Sequence, residues 1–240
     1  MIRDAVILAA GKGTRIRETD ADLPKPLYAV GGVPLVKRTI LTLAEAGVTR
    51  VVVVVGFMAD RVRATLEGDP DLAHVTLELV HNAEFELANG VSVLAGGAVA
   101  GGPFVLSMAD HIYAAAVARL VGTQDLAAAD LYLATDPRVD QVLDLDDATK
   151  VRTEGGRIVD IGKQIATYDR IDCGVFCVTP VLLGALREVR AARGDCSLSD
   201  GVRLLAERGR ARVADIDGSF WQDVDTPADR AHAEHMLSRR

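Results

Sequence analysis

The sequence predicts an α/β fold: an open, mostly parallel sheet with helices on both faces and a small antiparallel appendage. Two observations predict it. Short apolar runs bounded by turn residues alternate with longer segments of helical period, the mark of βα units stacked on one sheet. In the second half, Gly155-Gly156 lies between two short apolar runs, which reads as a hairpin rather than another βα unit.

Ala5 to Ala10 is the first strand. Pro34 to Ala46 reads as a helix, because Pro34 suits the first turn, Val36, Ile40 and Leu43 fall on one face, and Gly47 supplies the stop. Val51 to Val55 follows as a buried strand, then a helix near Asp60 to Glu67 and a strand near Val75 to Val80. A helix opens after Asn89-Gly90, and the strand Phe104 to Ala109 ends in Asp110-His111. A short helix around Ala114 to Val121 and a strand near Leu131 to Thr135 come next. The hairpin comprises Val151-Arg152, the turn Glu154-Gly155-Gly156 and Ile158 to Ile161, and Asp172 to Val178 is a return strand. Pro180 to Arg190 and Ser199 to Arg208 are helical, and Arg212 to Ile216 is a short strand. The last helix runs to Leu237, with Thr226 as its N-cap and Pro227 at its first position.

With 27 Lys plus Arg against 34 Asp plus Glu among 240 residues, the net charge is −7. That balance argues against broad binding to nucleic acid or an anionic membrane, which needs a clustered basic face. No apolar run approaches the roughly 18 residues of a membrane span. The N-terminus runs from Met1-Ile2-Arg3-Asp4 straight into an apolar strand, without a signal-peptide layout, so the expected location is cytoplasmic. Cys173, Cys177 and Cys196 lack paired metal-type spacings and read as buried thiols of a reducing compartment.

Three features point to chemistry. Leu8-Ala9-Ala10-Gly11-Lys12-Gly13-Thr14-Arg15 is a glycine-rich turn after the first strand, so its backbone N–H groups can line an anion site with cations beside it. It is not a Walker A loop, and Ile16 stands where the dinucleotide fingerprint has its third glycine. Pro24-Lys25-Pro26 holds a lysine on a stiff stem, since each proline fixes φ near −65° and restricts the residue before it. A lone lysine is ordinarily a solvated side chain; the preceding glycine turn is what singles this one out, since a stiff cation beside a phosphate loop suits charge that builds on transferring phosphates. Asp110 follows an apolar strand, and Asp223 and Asp225 precede a helix. Taken singly these are turn and capping positions, but hard oxygen ligands from separate segments suit Mg²⁺. His232 and His235 read as a solvated helix face, while His111 beside Asp110 reads equally as a ligand contact or a strand-end residue.

The glycine turn followed by Pro24-Lys25-Pro26-Leu27 resembles the nucleotidyltransferases that join a nucleoside triphosphate to a phosphorylated acceptor. Further stretches resemble one branch, the CTP:L-myo-inositol-1-phosphate cytidylyltransferases: Ser107 to His111, Asp147-Ala148-Thr149-Lys150-Val151, Ile161-Gly162-Lys163, Asp172 to Phe176, Ser197 to Gly201, and Trp221 to Pro227. The resemblance implies a Rossmann-like fold, CTP and inositol 1-phosphate as substrates, CDP-inositol and pyrophosphate as products, and Mg²⁺ as cofactor. It implies one domain over 1–240, with 1–136 serving mainly the nucleotide and 137–240 the acceptor and the metal Asp. In some relatives this domain is fused to a membrane-embedded synthase. The stand-alone form expected here would pass CDP-inositol to a separate membrane partner.

Carried over by position, Ala9, Ala10, Gly11, Lys12, Gly13 and Arg15 resemble the part that grips the triphosphate, and Lys25 the lysine near the α-phosphate. Asn89, Gly90 and Ser92 correspond to the segment facing the base. Asp110 and Asp225 resemble the metal carboxylates, with Asp223 as substitute if the register differs. Lys163 resembles the lysine that meets the acceptor phosphate, with Asp172 and Asp200 as candidates for inositol hydroxyls. Two alternatives stand beside this reading. Phosphocholine, 2-aminoethylphosphonate or a sugar 1-phosphate could be the acceptor, although ten aromatic residues do not favour a cage for a quaternary ammonium. A non-catalytic nucleotide-binding regulator would be expected to have lost Lys25, Asp110, Lys163 or Asp225, all of which are present.

Overall fold

The computed structural model describes residues 1–13, 23–142 and 144–238. The chain opens with β1 (Asp4–Ala9), the short pair β2 (Ala29–Val30) and β3 (Val33–Pro34), and helix α1 (Leu35–Ala46). Gly47 ends α1 in the left-handed region with φ 108°, donating its N–H to the Ala44 carbonyl. Pro34 stands just before the helix rather than inside it, because its extended backbone pairs with Ala29. Strand β4 (Arg50–Val55), α2 (Ala59–Leu66), β5 (Thr76–His81), α3 (Asn89–Ala100), β6 (Phe104–Met108), β7 (His111–Tyr113), α4 (Ala115–Gly122) and β8 (Leu131–Asp136) follow. The second half contributes β9 (Lys150–Glu154), β10 (Arg157–Gly162), β11 (Arg170–Val178), α5 (Val181–Arg193), α6 (Leu198–Glu207), β12 (Ala211–Asp215), β13 (Trp221–Asp223) and α7 (Pro227–Leu237).

Among the described residues, nine strands form one sheet in the order β5-β4-β1-β6-β11-β8-β12-β10-β9. The first four run parallel, as the βα repeat requires, and β11 returns antiparallel to β6. Alternation along the strands sends side chains to opposite faces. Ala5, Ile7, Val51 and Val53 pack with α1, α2 and α4 on one side, and Val6, Val52 and Val54 with α3, α5 and α6 on the other. That two-sided burial explains why the parallel strands read as unbroken apolar runs. The predicted hairpin is β9-β10, and it continues the main sheet: Arg157 pairs with Arg212 of β12, and Lys150 and Val151 pair with β11. Its apolar residues Val151, Ile158 and Ile161 are buried in the same core as Val202 and Leu205 of α6. Separate antiparallel ribbons are formed by β7 with β13 and by β2 with β3. The three cysteines are buried and free. Among the described residues no helix is long and apolar enough to cross a membrane.

Candidate active site

The site lies at the carboxyl ends of β1 and β6, where open α/β sheets bind ligands. From Ala9 the chain turns through Gly11 to Gly13, and it comes back at Pro24-Lys25-Pro26, a single tight turn in which Leu27 N–H donates to the Pro24 carbonyl over 2.9 Å. The two predicted motifs meet here. A Cβ on Gly13, whose φ is +59°, would overlap the Lys25 side chain, so the glycine lets the turn lie against the lysine stem. The ribbon β7–β13 does the rest. His111 pairs with Asp223, and Val224 N–H donates to the Asp110 carbonyl over 2.9 Å, which brings Asp110 and Asp225 together from opposite ends of the sequence. The start of α7 then fixes Asp225: Thr226 and Asp229 form a reciprocal capping box, and the Asp229 carboxylate also accepts the Asp225 N–H at 3.1 Å.

Both carboxylates point at one cation. Lys25 Nζ donates to Asp110 Oδ2 at 2.6 Å and to Asp225 Oδ1. Burial opposes the charge on Lys25, but the two aspartates outweigh it and raise its pKa above the ordinary lysine value. Burial likewise opposes the charge on Asp110, and Lys25 and His111 overcome it, holding the carboxyl far below the usual carboxylate range. His111 Nδ1 meets Asp110 Oδ1 at 2.8 Å. Against the cost of burial, Asp110, then Asp223 and Asp172, push His111 up to about 9.

The cleft is about 430 Å³ in volume. Its far wall comes from the hairpin side, where Lys163 Nζ meets Asp147 Oδ1 at 2.6 Å. Asp172 accepts the Gly174 N–H at 2.7 Å, and burial pushes its carboxyl up to about 6. The arrangement thus has a buried cation between two carboxylates on one side and a second, more exposed cation across from it. It can hold two anions at a fixed separation while neutralising both. Among the described residues no cluster of three or more His, Cys, Asp or Glu side chains is disposed to hold a metal unaided; the carboxylate pair would share a metal with ligand oxygens.

The model of the MobA-like NTP transferase domain matches residues 5–213, which take in the glycine turn, Lys25, Asp110 and Lys163. The chain belongs to that family. Within it, this transferase domain superposes on the inositol-1-phosphate CTP transferase from T. maritima with a TM-score of 0.87 at 30% identity, over 99% of this chain and 96% of that one. It is 38% identical over 239 residues to a bifunctional IPC transferase and DIPP synthase from Rubrobacter xylanophilus, covering 97% of this chain and 51% of the relative. A protein of the same name from Aquifex aeolicus is 34% identical over 239 residues, at 99% and 52% coverage. The domain therefore spans about half the length of the curated relatives it matches.

Of the residues the sequence singled out, Ala9, Gly11, Gly13, Lys25, Asn89, Asp110, Lys163, Asp172, Asp223 and Asp225 line the cleft. Arg15 lies outside the described residues. Four others do not line the cleft in this structure. Lys12 is turned away to pair with Glu86. Ala10 is buried, its carbonyl accepting the Phe57 N–H at 3.0 Å. Ser92 is buried one turn into α3, where its hydroxyl accepts from Asn82 Nδ2 at 2.9 Å, and Gly90 packs flush against the backbone of Cys196. Asn89 itself is half spent on structure, since its side-chain oxygen accepts the Leu198 N–H that opens α6.

Asp200 does not line the cleft either. Its carboxylate accepts from the N–H and hydroxyl of Ser197 at 2.9 and 2.6 Å, closing a capping box at the start of α6. The spacing Ser197-x-x-Asp200 is a helix-start signal, and the capping box accounts for the carboxylate without an acceptor role. Asp200→Ala is accordingly expected to lower stability by about 1 kcal/mol, read by chemical denaturation, with the KM for every substrate unchanged. A rise in an acceptor KM would restore Asp200 to the site. Sequence reasoning missed Asp147, Trp221 and Gly174 as site residues, although each stands in a stretch that carried the family resemblance.

Proposed function

We propose that this domain transfers a cytidylyl group from CTP to L-myo-inositol 1-phosphate, giving CDP-inositol and pyrophosphate. The observation that carries the reading is the convergence of Lys25, Asp110 and Asp225 beside the Gly11 to Gly13 turn, faced across the cleft by Lys163. Likeness to the T. maritima transferase and to the bifunctional relatives supports the choice of CTP and an inositol phosphate. In this reading residues 1–136 serve mainly the nucleotide, and 137–240 the acceptor.

A phosphate oxygen of the acceptor attacks the α-phosphorus of CTP in line; the new P–O bond forms as the bond to the β-phosphate breaks, and pyrophosphate leaves with the electron pair. The attacking group is already an anion, so no strong general base is required. The protein's task is to bring two mutually repelling anions together and to neutralise the charge that develops. Backbone N–H groups at Gly11 and Gly13 bind the triphosphate, with Arg15 and Lys12 beside the turn. Lys25 neutralises the α-phosphate region from its proline-stiffened stem, and Lys163 holds the acceptor phosphate. Asn89 faces the base, and Asp172 accepts from acceptor hydroxyls. Asp110 and Asp225 fit a Mg²⁺ ion, because two hard carboxylates already converge on one cation, and Asp223 is near enough to feel both charges. Such an ion would supply charge neutralisation at the phosphates.

The test is pyrophosphate release from CTP and Mg²⁺ with L-myo-inositol 1-phosphate, phosphocholine, 2-aminoethylphosphonate and glucose 1-phosphate assayed in parallel. Release with the inositol phosphate alone is expected. Release with another acceptor alone would overturn the substrate while leaving the in-line transfer intact.

A further inference from the structure

Behind the cleft stands a chain of contacts that leads from outside the reacting groups into the Asp110 and Lys25 pair. It begins at Asp136, the last residue of β8, whose side chain is only 5% exposed. Arg138 grips it twice, Nε to Oδ1 at 2.9 Å and Nη2 to Oδ2 at 2.7 Å, and the Arg138 backbone N–H adds a bond at 2.9 Å. The remaining acceptor position on Oδ2 takes the Trp221 Nε1–H at 2.8 Å. The indole in turn stacks on His111, with centroids 6.2 Å apart and planes 13° from parallel. His111 Nδ1 then reaches Asp110 Oδ1, whose other oxygen accepts from Lys25.

Trp221 needs such an anchor. It lines both the cleft and a second cavity of about 270 Å³ that also contains Asp136, Arg138 and Gln222, so packing supports only part of the ring. The hydrogen bond to a buried, ion-paired carboxylate fixes the indole in plane, because Trp donates from one atom only.

We propose that Asp136 is a positioning residue of the active site, holding the Trp221–His111 stack and through it the Asp110 carboxylate that faces Lys25. The proposal rests on the functional reading above for its kinetic test, since it states what keeps the reacting groups in register. Displacement of about 1 Å at such a site can cost up to about a hundred-fold in rate.

Three variants test it: Asp136→Ala, Trp221→Phe, which keeps an aromatic ring but deletes the N–H donor, and the double variant. Each single change is expected to lower kcat about ten-fold with the KM for CTP within two-fold of the parent. Because both act through one contact, the double variant is expected to lose no more than the worse single. Asp130→Asn serves as control, since Asp130 forms a similar ion pair with Arg210 at the other end of the same strand, away from the cleft, and should leave kcat unchanged. Trp221 is the only tryptophan in the chain, so time-resolved fluorescence anisotropy reads its ring directly. Asp136→Ala is expected to add a fast component to the decay that Asp130→Asn does not. Additive losses in the double variant, a kcat within two-fold of the parent in either single, or an unchanged anisotropy decay would overturn the proposal. Should no acceptor be turned over by the parent protein, the functional reading fails, and the anisotropy comparison still decides whether Asp136 anchors the indole.

Discussion

Lys25→Met is expected to lower turnover by two orders of magnitude or more and, at the same time, to make the ligand-free domain respond to Mg²⁺. The kinetic loss follows from removing one preorganised cation from the place where phosphate charge builds, an effect of roughly a hundred-fold or greater. The second effect follows from what Lys25 does in the free protein. Its ammonium lies between Asp110 and Asp225, with the lysine side chain 11% exposed and that of Asp225 15%. Methionine fills much the same space and deprives two neighbouring carboxylates of the ammonium they share, which costs on the order of 3 kcal/mol for a partly buried pair. A divalent cation can then occupy the position the ammonium has left. Thermal unfolding should show the variant several degrees below the parent without Mg²⁺ and regaining most of that difference at millimolar Mg²⁺, while the parent moves little. A variant that turned over within a few-fold of the parent would remove Lys25 from the mechanism. A variant indifferent to Mg²⁺ would show that Asp110 and Asp225 hold the ion only together with ligand oxygens.

The parts of this site that were legible in the sequence are those built from local chain. The glycine turn after β1 and the lysine between two prolines are each written in a few consecutive residues, and they meet as expected. Helix ends are equally legible where a capping residue stands beside the first turn, as at Thr226, and the same signal at Ser197 and Asp200 marks the start of α6. What sequence spacing does not carry is the pairing of β7 with β13, which, with the Val224 to Asp110 backbone bond, brings residues 110 and 225 together. The surroundings of Ser92 are hidden for a related reason: its partner Asn82 lies on the turn before α3, and only the packed fold shows that their hydrogen bond is internal to the core. Lys163 and Asp147 face each other at the open end of the hairpin, a contact set by its register, in which Gly162 lies opposite Lys150. Local chemistry is readable from the residues themselves, whereas their convergence is readable only through the family resemblance.

Gly174→Ala concentrates these constraints in one methyl group. Gly174 sits in β11 with φ +73°, at the irregular register between Asp172 and Phe176 where the strand departs from its pairing with β8. An L-residue in that left-handed conformation costs roughly 1–2 kcal/mol. The added Cβ would also overlap the His111 ring, which cannot simply swing aside because Trp221 stacks on it and Asp110 holds its Nδ1. Either the strand shifts, carrying Asp172 with it, or His111 moves and loosens Asp110. The variant is therefore expected to melt about 5 °C below the parent, at the usual 2–4 °C per kcal/mol for a domain of this size. It should also lose about ten-fold or more in kcat. The two causes can be separated. Adding His111→Ala to Gly174→Ala removes the overlap but not the backbone strain, so the double variant should recover part of the melting temperature relative to Gly174→Ala while its activity stays low. If the second change recovers nothing, the penalty is backbone strain alone, and the close approach of His111 to Gly174 does not constrain the site.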